Sequence, residues 1–146
     1  MSLLHLYRLP DEPWPLPLPV IGSTLSAGFP SPADDHLDPP LDLNRHLFRH
    51  PAATYLARVR GNSMLEAGIH DGDLIAIDRA LTPRDGHVVV AVVEGEYTIK
   101  RLRQQGPRLW LEPANAHYQN VEITGDMSFT VRGVVTHVIH ALPPTC

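Results

Sequence analysis

From Thr54 onward the chain consists mainly of short apolar or alternating runs separated by Gly, Pro, Asn and Asp. There are seven such runs, at residues 54–59, 74–77, 87–93, 97–102, 108–112, 121–123 and 129–140. Runs of this length, bounded by turn-forming residues, are typical of β-strands. Glu94-Gly95-Glu96 between two of them predicts a tight hairpin. The pattern therefore predicts a compact, mostly antiparallel β domain.

The first 40 residues have a different character, because nine of the fifteen prolines lie between positions 10 and 40. Proline donates no backbone hydrogen bond and biases the residue before it toward extended conformations. We therefore expect residues 1–40 to form an extended arm without a core, with a disordered tail as the alternative. Residues 41–50 predict one short helix, with Leu43 and Leu47 four apart and Pro51 ending it. The predicted β domain comprises residues 41–146.

Composition excludes several classes of protein. Twelve Lys and Arg against sixteen Asp and Glu give a net charge of −4, so direct, specific binding to DNA is not expected. The single cysteine, Cys146, cannot form an internal disulfide, which favours the reducing cytoplasm. Outside the arm, the longest apolar run is the six residues Val88–Val93, far short of the roughly 20 that a membrane helix needs.

Two residues are candidates for nucleophilic chemistry. Ser63 lies in Gly61-Asn62-Ser63-Met64, where turns could expose its hydroxyl and leave the backbone N–H groups around Ser63 and Met64 free to bind an oxyanion. Taken alone, such a serine usually satisfies turn hydrogen bonds.

The second candidate, Lys100, lies in a predicted strand. There it shares a face with Thr98 and Leu102, an arrangement that favours partial burial. The alternative is a lysine whose amine extends into solvent. A neutral amine can take the serine's proton, but at an ordinary pKa only about one lysine in a thousand is neutral near pH 7.4. That deficit costs about 4 kcal/mol, so burial that depresses the pKa would restore much of the rate.

No metal site or cofactor is predicted. His46 and His50 stand four apart in the predicted helix, but no further ligand follows at a metal-binding spacing, and they are interpreted as ordinary surface histidines. A Ser–His–Asp triad stays open, because its partners can come from anywhere in a sequence.

Taken together, several segments closely resemble the UmuD proteins, which belong with the LexA-type repressors among the self-cleaving Ser–Lys peptidases. They are 27–35 (AGFPSPADD), 41–44 (LDLN), 50–55 (HPAATY), 61–64 (GNSM), 69–74 (IHDGDL), 95–100 (GEYTIK) and 133–138 (GVVTHV). The resemblance covers most of the chain from Ser26 to His140, in the expected order.

The resemblance implies a LexA/UmuD-like catalytic β domain with Ser63 as nucleophile and Lys100 as general base. It places the self-cleavage site at the Ala27–Gly28 bond, where UmuD proteins commonly have Cys-Gly; alanine is small enough for the same pocket. It further implies a homodimer, cleavage stimulated by a RecA filament on single-stranded DNA, and a shortened product. That product would join a UmuC-type polymerase as accessory subunit in error-prone translesion synthesis during the SOS response.

Three alternatives remain to be weighed against this reading. A LexA-like repressor places a helix-turn-helix domain before the cut, whereas here 27 residues with five prolines between positions 10 and 19 precede it. A signal peptidase needs a membrane anchor, which this sequence does not predict. A non-enzymatic, dimeric scaffold that binds a polymerase or filament stays open, because an idle dyad would have the same sequence.

Overall fold

The computed structural model describes residues 2–21 and 37–143. Its residues fall into two compact units, one containing residues 2–11 and 50–143 and the other residues 12–21 and 37–49. This division differs from the expected boundary at residue 40, because the first residues of the chain form a strand of the larger unit. Each unit is described by itself.

The described chain contains ten strands and one α-helix, α1 (Leu43–Leu47), together with two short 3₁₀ turns, Pro51–Ala53 and Leu65–Ala67. The strands are β1 (Ser2–Arg8), β2 (Pro17–Ile21), β3 (Leu37–Asp42), β4 (Thr54–Arg60), β5 (Leu74–Asp78), β6 (Val88–Val93), β7 (Glu96–Gln105), β8 (Arg108–Glu112), β9 (Val121–Ile123) and β10 (Phe129–Ile139). The prediction of a mostly β protein is confirmed. The seven predicted strands correspond to β4 through β10.

The larger unit is one antiparallel sheet of eight strands in the order β1-β4-β5-β10-β6-β7-β8-β9. The last strand in sequence, β10, therefore lies between β5 and β6. Gly133 makes this close approach possible, since a Cβ there would lie 2.6 Å from Cγ2 of Ile77. The predicted hairpin joins β6 to β7 through Glu94 and Gly95, whose φ angles of 49° and 82° are both in the left-handed region.

The apolar run of β6 is buried on both sides of the sheet, which explains why it does not alternate with polar residues. Val90 packs with Met64, Ile75 and Ile99 in one cluster of buried side chains. Val89 belongs to a second cluster with other buried residues, namely Ala91, Leu102, Leu111 and Val134. These two clusters form the core and fix β7, the strand that carries Lys100.

The smaller unit pairs β2 with β3 in an antiparallel ladder, followed by α1. Asp42 caps the helix by accepting hydrogen bonds from the backbone N–H groups of Asn44 and Arg45. The same carboxylate accepts from the N–H of Leu16 at 3.0 Å, and this hydrogen bond in particular lowers the pKa of Asp42. The arm is thus extended, as expected, but its described residues pair in strands.

The helix predicted over residues 41–50 is too long, and the structure confines it to Leu43–Leu47. Phe48 already has extended backbone angles of −123° and 93°. His50 precedes a proline, which disfavours the helical region for that residue.

Among residues 2–21 and 37–143, no helix has the length and apolar character needed to cross a membrane.

Candidate active site

Ser63 lies in the loop that joins β4 to β5, and hydrogen bonds close this loop at its base. The N–H of Gly61 donates to Oδ1 of Asp71 at 2.8 Å. The N–H of Gly72 donates to the carbonyl of Val59 at 2.8 Å. Both ends of the loop are thereby tied to each other, so the serine has a defined position instead of lying on a free loop.

A second loop, which follows β8, holds the serine segment from the other side. Asn115 donates from Nδ2 to the carbonyl of Asn62 at 2.7 Å, and Glu66 donates its N–H to the carbonyl of Ala114 at the same distance. The N–H of Ala114 points at Sδ of the fully buried Met64, 3.3 Å away. The sequence analysis missed this second loop, because nothing in its residue types signals contact with a segment 50 positions earlier.

Lys100 extends from β7 to the serine. Its Nζ lies 3.1 Å from Oγ of Ser63, 2.8 Å from Oγ1 of Thr98 and 3.1 Å from the carbonyl oxygen of Ile99. As an ammonium group it donates a hydrogen bond to each of these three atoms. Thr98 contributes because residues two apart on a strand share a face, as the alternation of this segment predicts.

A neutral amine can be accommodated by the same three atoms. It has two N–H bonds and one lone pair, and the carbonyl of Ile99 and the hydroxyl of Thr98 can accept the two N–H bonds. The lone pair is then directed at Ser63, whose hydroxyl can donate to it. The geometry is therefore suited to transfer of a proton from the serine to the lysine.

Burial lowers the pKa of Lys100 below its usual value of 10.5. Among the described residues, no carboxylate forms an ion pair with this amine to offset the loss of hydration. Lys100 is also the only lysine of the chain. The structure thus places the sole lysine where burial shifts its equilibrium toward the neutral amine, beside a fully buried serine.

Two backbone donors adjoin the serine hydroxyl. Within the described part of the chain, the N–H groups of Ser63 and Met64 donate no hydrogen bond to another group. A pair of such donors beside a nucleophile is what stabilisation of an oxyanion requires.

An open cleft of about 600 Å³ adjoins the amine and is lined in part by Lys100, Thr98, Val93, Leu111 and Val121. Its lining also includes Tyr97 and the charged residues Arg60, Glu94 and Glu96, so the cleft combines apolar and charged side chains. An extended peptide could lie there with a small side chain near the amine.

Comparison with known proteins identifies the family of this chain. A family model described as Peptidase S24-like matches residues 19–136. The chain belongs to the Peptidase S24-like family. At the family level this makes it a self-cleaving serine peptidase of the SOS response, as the resemblance predicted.

Individual relatives of the S24 family cover most of the chain. The protein SamA of Salmonella typhimurium is 41% identical over 94% of this chain and 96% of its own length. The protein MucA of Escherichia coli is 44% identical over 82% of each chain. LexA repressor 2 of Pseudomonas syringae pv. tomato is 44% identical over 86% of this chain and 62% of the repressor.

The remaining predictions for this S24 chain concern the cleavage site and the two surface histidines. Ala27 and Gly28, the predicted cleavage site, lie outside the described residues. His46 is on α1, but His50 is not, so the two histidines do not share a helix. Instead, Nδ1 of His50 lies 2.7 Å from Oδ2 of Asp78.

A cluster that the sequence analysis missed combines His70, Asp73 and His140. Within the described residues it is the one group of three or more His, Cys, Asp or Glu side chains that could hold a metal ion. Its members are too far apart in the sequence, with 67 positions between Asp73 and His140, to form a recognisable motif.

Proposed function

We propose that this protein cleaves itself between Ala27 and Gly28, with Ser63 as the nucleophile and Lys100 as the general base. The observation that carries the proposal is the 3.1 Å contact between Nζ of Lys100 and Oγ of Ser63. Two further features support it: the lowered pKa of Lys100, caused by burial, and the cleft beside the amine.

In the first half of the proposed reaction, Oγ of Ser63 attacks the carbonyl carbon of Ala27 and its proton passes to the amine of Lys100. The backbone N–H groups of Ser63 and Met64 stabilise the oxyanion that forms. The intermediate then collapses, the bond to Gly28 breaks, and Lys100 returns the proton to the departing amine.

In the second half, residues 1–27 are attached to Ser63 as an ester. A water molecule attacks this ester while Lys100 accepts one of its protons. Collapse of the second intermediate breaks the ester, and the proton returns to Oγ. The products are a fragment ending in the Ala27 carboxylate and a chain that begins at Gly28.

The arm is suited to be the substrate. Proline-rich sequence favours the extended backbone that a peptidase cleft accepts, and Gly28 offers little steric hindrance beside the cut. Attachment to the same molecule, or to a dimer mate, gives the arm a high effective concentration. Even a slow dyad can then act on it.

The resemblance to UmuD proteins also motivates our proposal for the protein's partners. We propose that the protein is a homodimer in the cytoplasm and that a RecA filament on single-stranded DNA stimulates cleavage. The shortened product then serves a UmuC-type, error-prone polymerase as accessory subunit. The net charge of −4 supports contact with DNA through these partners instead of directly.

The test is incubation of the purified chain over a range of pH, followed by intact-mass measurement. We expect loss of residues 1–27 at a rate that rises with pH as Lys100 deprotonates, with the midpoint of the rise below pH 10.5 because burial lowers the pKa of Lys100. Ser63→Ala and Lys100→Ala should abolish the reaction, whereas Ser128→Ala, at an exposed serine, should leave it unchanged. A wild-type chain that stays intact at high pH, even with an activated RecA filament present, would contradict the proposal and favour a scaffold.

A direct measurement can follow the base itself. Because Lys100 is the only lysine, selective ¹⁵N-lysine labelling gives a single side-chain signal for NMR titration. In the Ser63→Ala chain, which cannot cleave, its pKa should lie below 10.5. The midpoint of the cleavage profile should follow this pKa.

A further inference from the structure

A second group of titratable side chains lies at the other end of the serine loop. The carboxylate of Asp73 is only 3% exposed. Its Oδ1 lies 2.5 Å from Nδ1 of His140, and its Oδ2 lies 3.7 Å from Nδ1 of His70. The two imidazole rings are close neighbours, with their centroids 4.6 Å apart.

We propose that His70, Asp73 and His140 bind a divalent transition-metal ion, with zinc the best match. Two imidazoles and one carboxylate form a typical donor set for zinc with one coordination position left open. One donor atom from each residue lies within 4.8 Å of the others. Tetrahedral bonds of about 2.0–2.2 Å place donor atoms roughly 3.4 Å apart, so small side-chain rotations suffice.

The sheet register fixes two of the three ligands. β5 and β10 are antiparallel, and Leu74 pairs with Ile139. Asp73 directly precedes Leu74 and His140 directly follows Ile139, so the two ligands face each other as the next pair across the strands. A site built at the ends of paired strands has little freedom to drift apart.

The carboxylate is also oriented by the backbone. Oδ2 of Asp73 accepts the N–H of His70 at 2.8 Å, and the N–H of Asp73 donates to the carbonyl of His70 at 3.1 Å. These bonds fix the position of the third ligand relative to the carboxylate. Such support around the ligands is characteristic of metal sites, where it sets the direction of the donor atoms.

Solvent can reach this cluster from the imidazole side. The side chains of His70 and His140 are 49% and 43% exposed, while the carboxylate between them is buried. A metal ion can therefore enter without opening the core, and water can complete its coordination. Without metal, a direct hydrogen bond between His140 and Asp73 satisfies the carboxylate.

Metal binding would tie the end of the serine loop to the end of β10. It would stabilise the folded chain, because an ion that binds only the folded state shifts the unfolding equilibrium. The proposal does not rest on Ser63 or Lys100, so it stands or fails separately from the peptidase proposal.

The experiment uses the untagged, full-length chain, with Cys146→Ser introduced to remove the thiol as a competing ligand. Isothermal titration with zinc chloride should give one equivalent per chain, and excess zinc should raise the thermal unfolding midpoint by several degrees. Cobalt(II) at the same stoichiometry should give visible absorption bands of a low-symmetry site. Magnesium should produce none of these changes.

His70→Ala and His140→Ala should each lose the stoichiometric binding and the thermal shift. His117→Ala is the matched control, because His117 is an exposed histidine outside the cluster, and it should behave like the parent chain. NMR of ¹⁵N-histidine in the parent chain gives a second readout that needs no variant. Zinc should move the imidazole signals of His70 and His140 and leave that of His117 in place.

Either of two results would overturn the site. One is the absence of stoichiometric zinc binding in the parent chain. The other is zinc binding that persists equally in both histidine variants, with the His70 and His140 signals unmoved.

Discussion

Two ionisable groups of the larger unit, the partly buried amine of Lys100 and the buried carboxylate of Asp73, have opposite surroundings. The amine of Lys100 contacts two hydroxyls and a carbonyl, and no described carboxylate pairs with it. The carboxylate of Asp73 has an imidazole close to each oxygen and a backbone N–H in addition. Both groups lose hydration, but only Asp73 receives partners that can carry the opposite charge.

Because of this difference, Lys100 is suited to reactivity and Asp73 to structural support. A buried charge without a counter-ion favours its neutral form, and for a lysine the neutral form is the base. A buried charge with partners on every side stabilises the segments that supply those partners. The amine of Lys100, which contacts the serine loop from β7, is thus suited to proton transfer, and the carboxylate of Asp73 at the end of that loop is suited to holding the loop in place.

The largest effect is expected on the rate of self-cleavage when Lys100, whose amine has no described counter-ion, is replaced by a permanent cation. Lys100→Arg keeps the positive charge but provides no neutral base, because a guanidinium does not lose its proton in proteins. Self-cleavage should slow by about 10²- to 10⁴-fold, the usual contribution of a general base. Intact-mass time courses measure this; near wild-type rates would show that the amine's neutral form is not needed.

A smaller effect is expected on the free energy of unfolding when the carboxylate of Asp73, which has imidazole partners, is removed. Asp73→Ala leaves the His70 N–H and the His140 imidazole without their acceptor, which should lower the free energy of unfolding by about 1–3 kcal/mol. Urea unfolding with a metal chelator present measures this without any contribution from zinc. Asp126→Ala, at an exposed aspartate bonded to Thr124, is the control and should change little. Equal losses of stability in Asp73→Ala and Asp126→Ala would show that the partners of Asp73 give it no special structural role, and its contrast with Lys100 would be lost.

The smallest expected effect is a gain in stability on replacing Lys100, whereas removal of Asp73 should cause a loss. The pKa of Lys100 is lower in the folded chain than in the unfolded one, so below the folded pKa the buried ammonium opposes folding. That penalty fades as pH rises through the folded pKa toward 10.5. In a Ser63→Ala background, Lys100→Met should therefore raise the unfolding midpoint at pH 7, with a gain that shrinks as pH approaches 10.5. A loss of stability at pH 7 would show that the amine's hydrogen bonds outweigh its dehydration.

Much of the sheet could be predicted from the sequence, because its strands are short and bounded by turn residues. The tight hairpin at Glu94 and Gly95 and the buried run of β6 are local signals that tertiary contacts do not override. The pairing of β1, β2 and β3 could not be predicted in the same way. Prolines dominate that stretch, and its strands are defined by partners far along the chain, such as Arg60 for Ser2.

The candidate site was only partly accessible from the sequence. Ser63 and Lys100 were identified by resemblance, and alternation placed Thr98 on the lysine's face. Spacing could not establish a contact between residues 37 positions apart, nor the contact of His140 with Asp73. Such contacts depend on the strand order, which the sequence pattern does not encode locally.

The position of β10 affects how the chain can fold. β5 and β6 follow each other in sequence but do not pair, because β10, which begins at Phe129, lies between them. A growing polypeptide on the ribosome therefore cannot complete the middle of the sheet until almost all of it has been synthesised. Until then two unpaired strand edges stay available for association with other chains. Folding of this protein should accordingly be late, cooperative and sensitive to crowding by unfinished copies of itself.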